Sequence, residues 1–284
     1  MLISIASGKG GTGKTTLALL LAAAHPPITL LDCDVEEPNC HLFLQPIQKP
    51  GTDYEITVSI PCIDSALCNG CGACSAVCLF NAIAVTGKTA LLFDELCHSC
   101  GGCLLACRQQ AISEQPKTIG TLMTGTAAAH PGIRLVSGRL KVGTPSAVPL
   151  IKRLKQECLQ HTGDILLDCP PGTACSMVTA VKDSDFCLLV TEPTPFGRHD
   201  LELAIHITRL LHIPAGVVIN KSDAATGDST IEALCASCRI PVLAKIPHSL
   251  ALARQYAAGC IPVEFLTAAA AIWSQLYAGR REEA

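Results

Sequence analysis

Short apolar runs recur along the chain, and most of them stop at a polar or turn-forming residue. Residues 2–6, 28–32, 164–168, 186–190, 215–219 and 242–246 form such runs. Brief apolar segments bounded by turn signals predict strands buried on both faces, as in a parallel sheet. Longer stretches with apolar residues at helical spacing lie between them, at 17–24, 147–160, 200–211 and 265–277. Residues 118–126 and 133–136 add two strand segments, and 137–146, with its Gly and Pro, reads as a loop. Alternating strand and helix predicts an α/β fold with a mostly parallel, doubly wound sheet and right-handed crossovers. The chain is 49% hydrophobic but only 4% aromatic, so small aliphatic side chains must fill that core.

The loop after the first strand carries the sharpest chemical signal. Ser7-Gly8-Lys9-Gly10-Gly11-Thr12-Gly13-Lys14-Thr15-Thr16 joins a strand to a helix. The spacing Gly8-x4-Gly13-Lys14-Thr15 is that of a phosphate-binding loop. Its glycines let successive backbone N–H groups turn toward an anion, and the helix adds its positive end. Lys14 is placed to reach the β/γ-phosphates, and the Thr15 hydroxyl to sit on Mg²⁺. The predicted nucleotide contacts in the loop are Gly8, Lys9, Gly10, Gly11, Thr12, Gly13, Lys14, Thr15 and Thr16. The strand at 164–168 ends in Asp168 and runs on as Cys169-Pro170-Pro171-Gly172-Thr173. A carboxylate at that strand end is expected to hold Mg²⁺, and Gly172 to free the following segment to follow a γ-phosphate.

The composition changes from about residue 61. Cys68, Cys71, Cys74 and Cys78 form C-x2-C-x2-C-x3-C, and Cys97, Cys100, Cys103 and Cys107 repeat it. Gly72 answers to Gly101, Ala82 to Ala111 and Ile83 to Ile112 at one constant offset. Such a duplication predicts a small α+β, bacterial-type ferredoxin domain with two [4Fe–4S] clusters, the fourth ligand of each coming from the other half. Cluster one takes Cys68, Cys71, Cys74 and Cys107. Cluster two takes Cys97, Cys100, Cys103 and Cys78. A Cys₄ zinc site normally uses two separated C-x2-C pairs, which this is not. Leu79 and Arg108 stand where a proline usually follows the fourth cysteine, and Arg108 puts a positive charge beside a ligand. The expected organisation is an ATPase domain in two parts, 1–59 and 115–284, with the ferredoxin unit inserted at 60–114.

The Lys-Gly-Gly-x-Gly-Lys-Thr loop, the segments 34–39, 168–173 and 190–196, and the inserted cysteine repeat together resemble MinD-type ATPases that carry a ferredoxin domain. About nine tenths of the chain fits that pattern. These belong to the MinD/ParA superfamily, with its deviant Walker A loop, which includes the nitrogenase iron protein and the Mrp-type iron–sulfur carriers. The resemblance implies that Lys9 reaches across a dimer to the partner's nucleotide. It implies that Asp32 supports the Mg²⁺ shell, that Asp34 orients the hydrolytic water, that Asn220 reads the adenine and that Pro247 begins the adenine lid. ATP hydrolysis is expected to be slow without a partner.

Three functions follow as expectations. The first is an ATPase that couples dimer closure to electron transfer through the clusters, serving a redox or iron–sulfur client as a homodimer or as a heterodimer with a related ATPase. The second is a cluster carrier or assembly scaffold of the Mrp type, using Cys235 and Cys238 as a bridging pair. The third is a positioning ATPase of the MinD/ParA kind. A net charge of −3 provides no basic field for nucleic acid. No apolar run reaches the ~18 residues of a membrane span. The tail pairs two arginines with two glutamates, so the electrostatic half of a membrane anchor is missing, and Trp273 reads as a core anchor. Eighteen cysteines with no leader before residue 2 point to metal binding in a reducing cytoplasm rather than to disulfides.

Overall fold

The structure, a computed structural model, describes residues 1–47, 53–158, 163–223 and 228–283, with side chains through Ala278. In chain order its elements are β1 (Leu2–Ala6), α1 (Lys14–Ala24), β2 (Ile28–Asp32), α2 (Cys40–Leu44), β3 (Pro46–Ile47), β4 (Asp53–Ile63), α3 (Ala73–Val77), β5 (Ile83–Thr86), β6 (Thr89–Leu92), α4 (Gly102–Ala106) and β7 (Ile112–Ala127). There follow β8 (Ile133–Leu140), α5 (Val148–Cys158), β9 (Asp164–Asp168), α6 (Cys175–Val181), β10 (Phe186–Thr191), α7 (Pro195–Leu210), β11 (Ala215–Ser222), α8 (Asp228–Ser237), β12 (Val242–Pro247), α9 (Leu250–Ala257) and α10 (Leu266–Glu283).

The main sheet runs β12-β11-β10-β1-β9-β2-β8-β7-β3, with β4 on the far part of β7. From β12 to β8 every pairing is parallel. This is the mostly parallel α/β sheet that the apolar runs predict. One core lies under α5–α8, around Leu31, Leu150, Leu167, Leu189 and Ile219. The other lies under α1 and α10, around Ile5, Leu20, Leu30, Leu188 and Trp273. The central strands are buried on both faces, and so they read as near-continuous apolar runs, with only Ser4 in β1 and Thr29 in β2 polar inside them. Several elements differ in extent from the sequence reading: α1 starts at Lys14, α10 runs on to Glu283, and β8 continues to Leu140, into the segment read as a loop. Helix α7 starts at Pro195, because Thr194 accepts a hydrogen bond from the Gly197 N–H (3.0 Å) and proline suits the first helical position. Of the helix read at 147–160, residues 159 and 160 lie outside the described residues.

The tail helix α10 packs along α1. Trp273 is 3% exposed and its Nε1 donates to the Leu21 carbonyl at 3.0 Å. Trp273→Ala removes that bond and leaves a large cavity, so a loss of about 3–5 kcal/mol is expected in denaturant unfolding. A loss under about 1 kcal/mol would show that α10 is not part of the folded core. No helix among the described residues is long and apolar enough to cross a membrane. The side chains of Arg280, Arg281, Glu282 and Glu283 lie outside the description.

The cysteine repeat stands at the end of a ribbon. Strands β4 and β7 pair antiparallel from Asp53↔Met123 out to Ile63↔Ile112, while the inner part of β7 pairs with β8. The residues read as the junctions of the insert, near 60 and 114, therefore face each other inside one continuous ladder. Beyond the ribbon the two halves of the repeat adopt one backbone twice. Gly72 and Gly101 have φ 79° and 73°, Gly70 and Ser99 have 70° and 57°, and Asn81 and Gln110 have 53° and 50°. Helices α3 and α4 occupy matching positions, and the Ile83↔Leu92 pair matches Ile112↔Ile63 at the ribbon's tip. Lys117 on the ribbon ties the lobe down through the Asp94 carbonyl (2.7 Å) and carboxylate (3.0 Å).

Candidate nucleotide site and four-thiol cavity

At the carboxyl end of the parallel strands lies a cavity of about 460 Å³. Its floor is Gly10, Gly11, Gly13, Lys14, Thr15 and Thr16, and Asp34 and Pro171 form one side. The other wall is Asn220, Pro247 and helix α9, through Leu252 and Tyr256. Gly13 has φ 96° and no cap covers the start of α1, so the first N–H groups of that helix keep no side-chain partner. A helix start of this kind, with a lysine beside it, is a ready anion site. Gly13 has a second constraint, because a Cβ there would lie 2.1 Å from Asn220 Nδ2.

The carboxylates divide into different jobs. Asp168 is buried; its Oδ2 accepts the Thr15 hydroxyl at 2.6 Å and its Oδ1 has no partner. An orphaned buried carboxylate oxygen beside a threonine hydroxyl fits a Mg²⁺ ion, which takes hard oxygen ligands. Asp34 is half-buried and lines the cavity. Burial, with the nearby Asp168 charge, pushes its carboxyl up to about 6, against the opposing pull of Lys14. Burial likewise raises Asp168 to about 6, against the Thr15 hydrogen bond. Asp32 faces inward rather than into the cavity. Its oxygens accept the backbone N–H groups of Asn39 (3.0 Å), Cys40 (3.0 Å) and Asp34 (3.3 Å). Burial and the Asp168 charge raise its carboxyl well above the usual range. Asp32 is thus the peg of the loop that carries Asp34, and it stands within 4.8 Å of Asp168 and the Cys40 thiol.

Gly8, Lys9 and Thr12 do not line the cavity. Gly8 is pressed against the Asp200 backbone, where a Cβ would come within 2.3 Å of the carbonyl oxygen. Lys9 pairs with Glu192 of its own chain. Asn220 spends one of its two Nδ2 hydrogens on the Thr12 carbonyl (2.7 Å), which leaves the other N–H and Oδ1 to meet an adenine. Glu192 lies in the 190–196 segment that carries the resemblance, but nothing local in the sequence gives it, Lys221 or Tyr256 a role at the loop. They are distant in the chain and the sheet order alone brings them to the loop.

In the lobe, Cys68, Cys71, Cys74 and Cys107 line a second, smaller cavity closed by Ile63, Ala90 and Ile112. Backbone hydrogen bonding at Gly70 and Ala90 holds the Cys68 thiol below its ordinary value, toward the thiolate a metal needs. Burial and the neighbouring Cys68 and Cys107 raise Cys74. Burial, with Cys97 and Cys100 nearby, raises Cys103, and Cys78 accepts the Ala82 N–H at 3.4 Å. Among the described residues no three of these eight thiols lie within 4.8 Å of one another. A tetrahedral zinc would draw its sulfurs to roughly 3.8 Å apart, from Zn–S bonds of about 2.3 Å, whereas a cubane spreads them. The structure brings Cys68, Cys71, Cys74 and Cys107, the first predicted ligand set, to one cavity. His98 stacks on Phe80 at 3.7 Å, a contact between the two halves.

Cys235 is 2% exposed on the inner face of α8, and burial raises its thiol to about 11. Cys238 is half-buried, and its carbonyl takes the Arg209 guanidinium. Only Cys238 of the pair is partly exposed.

The chain is 33% identical over 231 residues, 78% of each chain, to the uncharacterised protein MJ0578 of Methanocaldococcus jannaschii. Its fold is similar to the cell division ATPase MinD of Pyrococcus furiosus (TM-score 0.58, 18% identity, covering 97% of this chain and 98% of that one). It is also similar to the septum site-determining protein MinD complexed with Mg-ADP from Pyrococcus horikoshii (TM-score 0.55, 19% identity, covering 95% and 92%). Residues 3–263 match the CobQ/CobB/MinD/ParA nucleotide binding domain, so that the chain, with its phosphate loop at the mouth of a mostly parallel sheet, belongs to that nucleotide-binding family.

Proposed function

We propose that the protein is an ATP-hydrolysing iron–sulfur protein in which MgATP closes two subunits and thereby controls electron transfer from a ferredoxin lobe to a client. The observation that carries this reading is a continuous connection between the two cavities. The Val35 carbonyl, next to Asp34, accepts the Leu140 N–H at 2.7 Å, and the Lys141 N–H donates to Ile119 of β7 at 2.8 Å. β7 then runs on, past a bulge at Ile119 in its ladder with β4, to Ile112 at the four-thiol cavity. The loop around Cys97, His98 and Ser99 also faces Thr144, Ser146 and Pro149 across a narrow gap. A shift of the Asp34 loop has a short, hydrogen-bonded route to the lobe.

In this reading the loop 8–16 and Lys14 bind the phosphates, Thr15 and Asp168 hold Mg²⁺, and Asp34 orients water. Cys68, Cys71, Cys74 and Cys107 hold one [4Fe–4S] cluster, and Cys97, Cys100, Cys103 and Cys78 the other. When bound, such clusters supply one-electron chemistry. The active species is a dimer, of two copies or with a related ATPase. The burial of Cys235 speaks against the carrier alternative. A MinD/ParA-like positioning role shares the nucleotide site but leaves the paired cysteine motifs without a task.

Anaerobically purified chain is expected to carry about eight iron and eight sulfide, and Cys74→Ala about four of each. Transfer to an acceptor dye should change with MgATP. Zinc in place of iron, or full iron with transfer rates blind to nucleotide, would remove the proposal.

A further inference from the structure

Lys9 lies inside the phosphate loop and Lys221 beside it, and one carboxylate holds both. Glu192 Oε1 takes Lys9 Nζ, and Oε2 takes Lys221 Nζ at 3.0 Å. Lys221 also donates to the Gly11 carbonyl at 2.9 Å, so the bridge ties directly into the loop. The Glu192 side chain is only 14% exposed, against 29% for Lys9 and 45% for Lys221. The acid is the fixed partner and the lysines are the movable ones. Glu192 follows the last residue of β10. There the Thr191 hydroxyl donates to the Gly197 carbonyl (2.9 Å), and a Cβ on Gly197 would come within 2.2 Å of the Glu192 carbonyl oxygen. The first turn of α7 therefore clamps the backbone at Glu192.

Charge balance gives this arrangement a purpose. Lys9, Lys14 and Lys221 surround one loop. A triphosphate entering it is a stronger anion for the same cations than one carboxylate. We propose that Glu192 is a positioning residue that latches Lys9 and Lys221 in the nucleotide-free chain and yields Lys9 when triphosphate binds. That Lys9 then serves a second subunit rests on the reading above; the latch itself does not.

The test is acylation of lysines on full-length, anaerobically purified protein by an amine-reactive ester, read by mass spectrometry without nucleotide. In Glu192→Gln, Lys9 is expected to react about fivefold faster than in the wild type, the size of a partly buried ion pair. In the wild type, added NaCl should speed Lys9 labelling, and in Glu192→Gln it should have no effect. Glu192→Asp keeps the charge on a shorter stem and should fall between the two; with the wild-type salt response it decides the matter if Glu192→Gln fails to fold. Equal, salt-independent labelling of Lys9 overturns the latch. In sedimentation with MgATP, Glu192→Gln is expected to dimerise at about fivefold lower nucleotide. If the wild type never dimerises but labelling responds to Glu192→Gln, the latch stands and the dimer-closure reading falls. If dimerisation occurs and labelling is unmoved, the latch falls alone.

Discussion

Lys14→Ala is expected to weaken MgATP binding by more than about a hundredfold, taken as roughly 3 kcal/mol of charge-assisted contact at tenfold per 1.4 kcal/mol. Lys14 opens α1 and is 7% exposed, at the floor of the cavity. Its charge already bears on two acids, since it holds the Asp34 and Asp168 carboxyls down against burial. The variant therefore loses twice. No ammonium meets the phosphates, and the two acids are left in a low-dielectric pocket with less reason to ionise, which weakens the Mg²⁺ position. Isothermal titration with MgATP is the measurement. A dissociation constant within tenfold of the wild type would mean that the cavity at the strand ends is not the nucleotide site.

Asp34→Ala should behave in the opposite way, keeping nucleotide affinity within a fewfold while slowing steady-state hydrolysis by about a hundredfold or more, the usual weight of a group that orients or deprotonates water. The pH profile separates this from a structural defect. Asp34 must be ionised to act, and burial above all pushes its carboxyl up to about 6. Asp168 lies at a similar value for the same reason. For acids shifted upward, the working anion is present above the shifted value and lost as pH falls through it. Wild-type kcat/KM should therefore rise steeply through about pH 6 and then level. In Asp34→Ala the remaining limb should follow Asp168 alone and become shallower. An unchanged rate, or an unchanged limb, would place the water-orienting group elsewhere.

The parts of this protein that its sequence reveals are those built from near neighbours. A phosphate loop is a run of backbone N–H groups, so residues 8–16 display it without any tertiary contact. The cysteine repeat is legible for the same reason, and its backbone does repeat, with Gly72 matching Gly101 and Asn81 matching Gln110. Helix α7 was open to a closer reading, since Thr194-Pro195 is a start signal five residues before the apolar spacing at Asp200. The direction of β4 and β7 was not. Antiparallel pairing along a ribbon that joins the main sheet depends on register between segments about fifty residues apart, and neither strand alone encodes it.

What the sequence by itself determined, then, is the family, the alternation of strand and helix and the local motifs, because each follows from short-range spacing. The tertiary structure alone decided which charges meet. Glu192 lies far along the chain from Lys9, Asn220 from Thr12, and Asp168 from Thr15. The parallel order β11-β10-β1-β9-β2 delivers all of them to one edge. It also turned Asp32 inward to peg a loop while leaving Asp34 at the cavity. Two acids two positions apart would share one face if the strand ran on, and they separate into core and site only because β2 ends at Asp32 and the chain turns there.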